Sequence, residues 1–168
     1  MSERRVKSDE TVHRVGGYLH RLVPVVDASG VVIEHVLRPL MVELRARDLI
    51  QILVGSSLIA IPVSLTQEVW DLGRTLPLVN VATLSALSLV FIGLFVHFHF
   101  YKGYLRQYLF EYVKRVASIY VISLVVVAVI LTLIQQCPWT TDFILALKRV
   151  VIVGLPASLS ATLSDAFK

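Results

Sequence analysis

The chain has 168 residues, yet 56% of them are hydrophobic and only 17% are charged. Soluble domains run at about 45–50% apolar and about 25% charged, so the excess apolar surface faces something other than water. The net charge of +4 does not mark a nucleic-acid binder, because the basic residues sit beside apolar spans, where anionic lipid headgroups are the simpler partner.

The single cysteine, Cys137, excludes a disulfide framework within one chain. The start, Met-Ser-Glu-Arg-Arg, is charged and is not followed by a short apolar run, so the first span is expected to act as the insertion signal.

Residues 1–46 read as a water-compatible cytoplasmic region of mixed charge. Within it, Leu22–Val26 and Val31–Leu37 are β-branched runs flanking Asp27-Ala-Ser-Gly30, the pattern of a β-hairpin. An isolated hairpin is marginal in water, so a flexible tail is the alternative.

Residues 47–168 read as a membrane domain. Four apolar segments follow one another, at Leu49–Trp70, Val81–Phe100, Val116–Ile134 and Phe143–Leu163. Each approaches the roughly 20 residues that cross a hydrocarbon core about 30 Å thick. In lipid the backbone must satisfy its own hydrogen bonds, so each segment is expected to be a helix. The fold class is therefore an all-α membrane protein with four transmembrane helices. The third segment, nearly all Val, Ile and Leu, is expected to be the most lipid-exposed.

Basic residues set the orientation. Arg38, Arg45 and Arg47 precede the first span, and Lys102, Arg106, Lys114 and Arg115 lie between the second and third. The other two loops hold only Arg74, so both termini are expected in the cytoplasm, at the cytoplasmic (inner) membrane. Trp70, Tyr101, Tyr104, Tyr112 and Trp139 cluster near span ends, as interfacial aromatics do.

Polar residues inside the spans are the candidates for function. Ser57, Ala60, Ser64, Gln67 and Asp71 recur at steps of three or four, with Glu68 beside them, and so share one face of a continuous helix. That face suits either close helix packing or the wall of a water-filled pore. Pro62, mid-span, frees a carbonyl for a neighbouring helix or a pore water.

Lys148 and Arg149 lie one to two turns inside the fourth span, where a charge costs roughly 2.5–3.5 kcal/mol on insertion scales. Glu68 and Asp71 end the first span on the same side, so an ion pair between either carboxylate and Lys148 or Arg149 is expected, serving structure or a charged vestibule. Further along, Gly154, Ser158, Ala161 and Asp165 form a small-residue face suited to close packing. Pro156 is placed to bend the helix there, as part of that packing or of a gate. His97 and His99 are two apart, on different faces, which is poor spacing for a metal.

No P-loop, Gly-x-Ser-x-Gly or His-Glu-x-x-His occurs, and Cys137 has no nearby histidine; the chain does not read as an enzyme, and no cofactor or metal is implied. Two segments resemble a known group: Ile61-Pro-Val-Ser-Leu-Thr-Gln-Glu-Val-Trp-Asp-Leu-Gly73, and Leu155-Pro-Ala-Ser-Leu-Ser-Ala-Thr near the C-terminus. They resemble a family of uncharacterised prokaryotic integral membrane proteins over about Arg47 to Phe167. In that family a proline, an acidic residue and a tryptophan before Leu-Gly close one span, and a Pro-Ala-Ser-like segment lies in the last. The resemblance implies a membrane location and draws attention to Glu68, Trp70, Gly73, Pro156 and Ser158.

Close-packing faces on the first and fourth spans point to a homo-oligomer. The leading functional expectation is an ion channel in which the first span lines a pore and Glu68 and Asp71 attract ions at its mouth. The alternative is a non-conducting membrane scaffold or accessory subunit.

Overall fold

A computed structural model describes the backbone of three strands, Val12–Val15 (β1), Tyr18–Val26 (β2) and Val32–Pro39 (β3), and the full residues 44–101 and 108–167. The chain divides into two units at Glu43/Leu44.

In the first unit the strands form one antiparallel sheet in the order β1-β2-β3. Val12 lies opposite Arg21 and His20 opposite Pro39, with an irregularity at Val25/Val26. The turn expected at Asp27–Gly30 lies outside the described residues, and β1 has no counterpart in the sequence reading.

Among the described residues the second unit holds five helices: Ala46–Ser64 (α1), Gln67–Thr75 (α2), Leu78–Phe100 (α3), Leu109–Leu133 (α4) and Phe143–Ala166 (α5). Among the described residues, α1, α3, α4 and α5 are long and apolar enough to cross a membrane.

Helix α1 begins where the Asp48 carboxylate accepts the Arg45 backbone N–H at 3.1 Å, an acid in a first turn that suits the positive end of the helix dipole. It does not continue to Trp70 as expected. Pro62 has no N–H to return to the Leu58 carbonyl, and the last turn tightens, with the Leu65 and Thr66 N–H groups reaching Pro62 O and Val63 O at 3.3 Å. Thr66 is extended, and the chain restarts as the short α2. Val69 and Gly73, four residues apart, are the buried residues of α2, whereas Gln67, Glu68, Asp71 and Arg74 are exposed.

The turn between α4 and α5 is sharp. Gln136 N–H reaches Leu131 O at 2.8 Å and Gln135 N–H reaches Thr132 O at 3.0 Å, with Gln135 at φ 60°. This is the paired arrangement that closes helices at a left-handed residue, here a glutamine where glycine is usual. Asp142 then caps α5, its Oδ1 accepting Leu145 N–H at 2.9 Å.

Helix α5 is the centre of the bundle and packs on each of the other four helices. Helices α1 and α3 both pack on α4 and α5, so the α4–α5 pair lies between them. The third span is consequently not the most lipid-exposed: α4 is more buried than α3. The reason is a ladder at every fourth position, Arg115, Ile119, Ser123, Val127 and Leu131, each fully buried. A uniformly apolar helix hides which stripe faces inward.

Small residues permit the close approaches. A Cβ on Gly55 of α1 would strike the Ser164 Cβ of α5 and come within 3.0 Å of Ala161 Cα, and one on Gly154 of α5 would strike Leu124 of α4. Neither the Ala161 backbone nor the short Ser164 side chain can retreat. Gly55→Val is therefore expected to destabilise the folded state by about 1–3 kcal/mol, the usual cost of overpacking, as read by denaturant titration in micelles; an unchanged midpoint would contradict this packing.

Candidate functional site

Charge is gathered at the two ends of the bundle, and each end handles it differently. At the end holding the start of α1 and the end of α5, Arg115 of α4 is wholly buried between two carboxylates. Its Nη2 lies 2.6 Å from Asp48 Oδ2 of α1, and its Nε lies 3.2 Å from Asp165 Oδ2 of α5. The Phe100 ring at the end of α3 stacks under the guanidinium, 4.1 Å from Cζ, a cation–π contact. One side chain thus ties all four long helices together.

Tyr101 is buried beside this cluster and meets Tyr112 edge-on at 5.4 Å. Burial pushes its phenol up to about 12, opposed by Arg115 and helped by Glu111 and Asp165. It stays protonated, and so a hydrogen-bond donor, at any physiological pH. Close by, Gln51 Nε2 donates to Phe167 O at 2.8 Å, pinning the end of α5 to α1.

At the other end the expected interhelical ion pair is replaced by carbonyls. Arg149 is 3% exposed. Its Nε and Nη2 donate to Trp70 O at 3.3 and 3.2 Å, and its Nη1 donates to Gln136 O at 2.5 Å and Gln136 Oε1 at 3.2 Å. Lys148 Nζ donates to Leu76 O at 2.7 Å. Leu76 and Gln136 stand just past helix ends, where carbonyls lack intrahelical donors. Glu68 and Asp71 do not meet either cation: both are exposed, and Asp71 lies 3.7 Å from Arg74 on its own helix. The break at Thr66 is the cause, since it turns Val69 and Gly73 of α2 toward α5. Gly73 is required there, because a Cβ would sit 2.6 Å from Arg149 Cγ.

The same break divides the polar stripe expected along the first span. Ser57 donates to Leu53 O of its own helix at 2.8 Å. Ala60 and Ser64 are buried, and the Ser64 carbonyl accepts Trp70 Nε1–H at 2.8 Å. Gln67, Glu68 and Asp71 belong to α2, and Pro62 is exposed. On α5, Gly154, Ser158, Ala161 and Asp165 share the buried side, Ser158 Oγ donates to Leu155 O at 3.0 Å, and Pro156 sits in an unbroken helix.

The Asp48–Arg115–Asp165 cluster has no counterpart among the sequence-derived candidates. Arg115 reads there as a loop charge and Asp48 as the edge of the soluble region. The available signal was the four-residue spacing from Arg115 to Leu131, which places the arginine on the same stripe as the buried ladder.

Removing one member of a buried ionic group leaves the others uncompensated, at a cost of about 3–5 kcal/mol. Arg115→Met is expected to lose that much in micelle unfolding experiments. The triple variant Asp48→Asn, Arg115→Met, Asp165→Asn is expected to recover part of it, and a triple variant no more stable than the single one would show that charge compensation is not the cause.

Cys137 is buried, with Sγ 3.8 Å from Ala146 O. Burial pushes its thiol up, with Arg149 opposing in smaller measure. The thiol is thus protonated at neutral pH, and alkylation by a small maleimide is expected to begin only at higher pH than for a free cysteine. Rapid labelling of the folded protein near pH 7 would contradict the burial.

Neither a curated protein nor a solved structure matches this chain. A family model described as "Putative integral membrane protein (DUF2391)" matches residues 43–167. The match covers all four membrane-length helices, both charged ends and the Pro62–Gly73 and Leu155–Thr162 segments, and the chain belongs to that family of integral membrane proteins.

Proposed function

We propose that this protein is a non-conducting scaffold or accessory subunit of the cytoplasmic membrane, with both termini on the cytoplasmic side. The observation that carries this reading is the inward turn of the polar groups. Ser56, Ser88, Ser123, Ser158 and Thr162 are buried, and each hydroxyl donates to a carbonyl of its own helix. The outward face of α1 carries Ile50, Leu53, Val54, Leu58 and Ile61, all exposed and apolar. Such a face suits lipid or another membrane helix better than a water-filled path between copies.

The orientation is supported by Lys102, Arg106 and Lys114 in the α3–α4 region, set against Arg74 alone in the α1–α3 connection and no Lys or Arg from Gln135 to Asp142. The N-terminal region would then serve as a docking surface in the cytoplasm. The competing reading, a homo-oligomeric ion channel, draws on the exposed carboxylates of Glu68 and Asp71 on α2 as an ion-attracting mouth.

Reconstitution of the purified chain into liposomes separates the two. The scaffold reading expects vesicles that hold a potassium or chloride gradient as tightly as empty ones at every protein density. A flux that Glu68→Gln or Ser64→Leu alters overturns it in favour of the channel. In a Cys137→Ala background, Lys114→Cys is expected to resist an impermeant maleimide added outside the cell.

A further inference from the structure

A polar pocket of about 250 Å³ opens between α2 and the first turns of α5, lined by Gly73, Arg74, Asp142, Ile144, Leu145 and Lys148. We propose that it binds the phosphate of an anionic phospholipid headgroup, held by Arg74 and Lys148.

The charges at this end favour an anion. Lys148 has three N–H donors, and the structure uses one of them, on Leu76 O. Among the described residues Arg74 is held only by a 3.7 Å contact to Asp71, with both side chains more than half exposed. Directly behind Gly73 lies the buried Arg149 guanidinium, whose hydrogen bonds all go to neutral oxygens. Its charge is therefore spread over carbonyls rather than cancelled by a carboxylate. The one acid lining the pocket, Asp142, already spends Oδ1 on the Leu145 N–H. The two basic side chains come from different helices, and a phosphate with several acceptor oxygens can bridge both.

The apolar side of the pocket points to a lipid rather than a soluble anion. Ile144 and Lys148 are four residues apart on α5 and so share a face with Leu147. Phe143, Ile144 and Leu147 are 60%, 53% and 45% exposed. An amphipathic ligand would place its headgroup on Lys148 and Arg74 and its chains along this apolar face. Trp70 and Trp139 lie at the same end of the bundle, Trp139 5.9 Å from Phe143, where interfacial tryptophans mark the headgroup level.

Those two tryptophans, the only ones in the chain, report on the site directly. The full chain is reconstituted with brominated-chain phosphatidylglycerol or phosphatidylcholine, and quenching of tryptophan fluorescence gives the relative association of the two lipids. The wild type is expected to prefer phosphatidylglycerol. Arg74→Gln or Lys148→Gln is expected to lower that preference by about fivefold each, the equivalent of ~1 kcal/mol per basic residue at a bilayer surface. Asp71→Asn, which releases Arg74, is expected to raise it, and Lys148→Arg to keep it. Should Lys148→Gln fail to fold because Leu76 O loses its donor, the exposed Arg74 carries the test. Equal quenching by both lipids in the wild type, or a preference that survives Arg74→Gln, overturns the site. Release of the quenching by inorganic phosphate at millimolar concentration overturns the lipid assignment in favour of a soluble anion.

Discussion

The hydrocarbon core of a bilayer offers no water to an exposed polar group, and the rest of this structure answers to that constraint. Four helices satisfy their backbones internally, and several of their buried serines and threonines bond to carbonyls one turn back. The charges are drawn to the two ends, where helix termini and other charges can receive them. Arg115 shows how far this goes. Placed two turns inside α4, it is met by Asp48 and Asp165, which α1 and α5 bring to it, and by the Phe100 ring from α3. The cluster joins the four long helices and gives their ends a register that apolar packing alone would leave loose.

The opposite end solves the same problem by other means. There the cations Lys148 and Arg149 are met by the carbonyls of Leu76 and Gln136, which stand just past helix ends, and by that of Trp70 within α2. Pro62 and Thr66 end α1 early, α2 folds over the start of α5, and the left-handed Gln135 turns the chain so that the Gln136 carbonyl faces Arg149. Gly73 completes the arrangement by leaving room for the arginine stem. The segment from Pro62 to Gly73 is therefore the one that builds this end, and its glutamate and aspartate are left facing outward.

These two ends make the interior an unpromising conduit. Between them Ser56, Ser88, Ser123, Ser158 and Thr162 are isolated buried hydroxyls, each already engaged with its own helix, and Ser64 is buried at the end of α1. A path for ions needs a run of groups that can replace water in sequence. The packing instead spends its small residues on bringing α5 against α1 and α4, at Gly55 and Gly154. This division, polar interior engaged and apolar exterior open, is what favours a scaffold that meets lipid or a partner helix.

Composition and hydropathy by themselves determined the medium and the number of spans, though not where the first ends or the third begins, because burial in lipid demands about twenty apolar residues in a row and little else imitates that. The pairing of the two ends of the bundle also followed, since four spans return the chain to the side where it began. Only the tertiary structure decided where the polar residues point. The stripe from Ser57 to Asp71 reads as one face if the helix is continuous, and the break at Thr66 is a local event that this spacing does not announce. The partners of Arg115, Lys148 and Arg149 were equally hidden, because Asp48 and Asp165 lie 67 and 50 positions from Arg115, and the carbonyls of Leu76 and Gln136 become free acceptors only because helices end beside them. Sequence spacing reports neighbours along one helix; which helices meet, and at what height, is settled by packing.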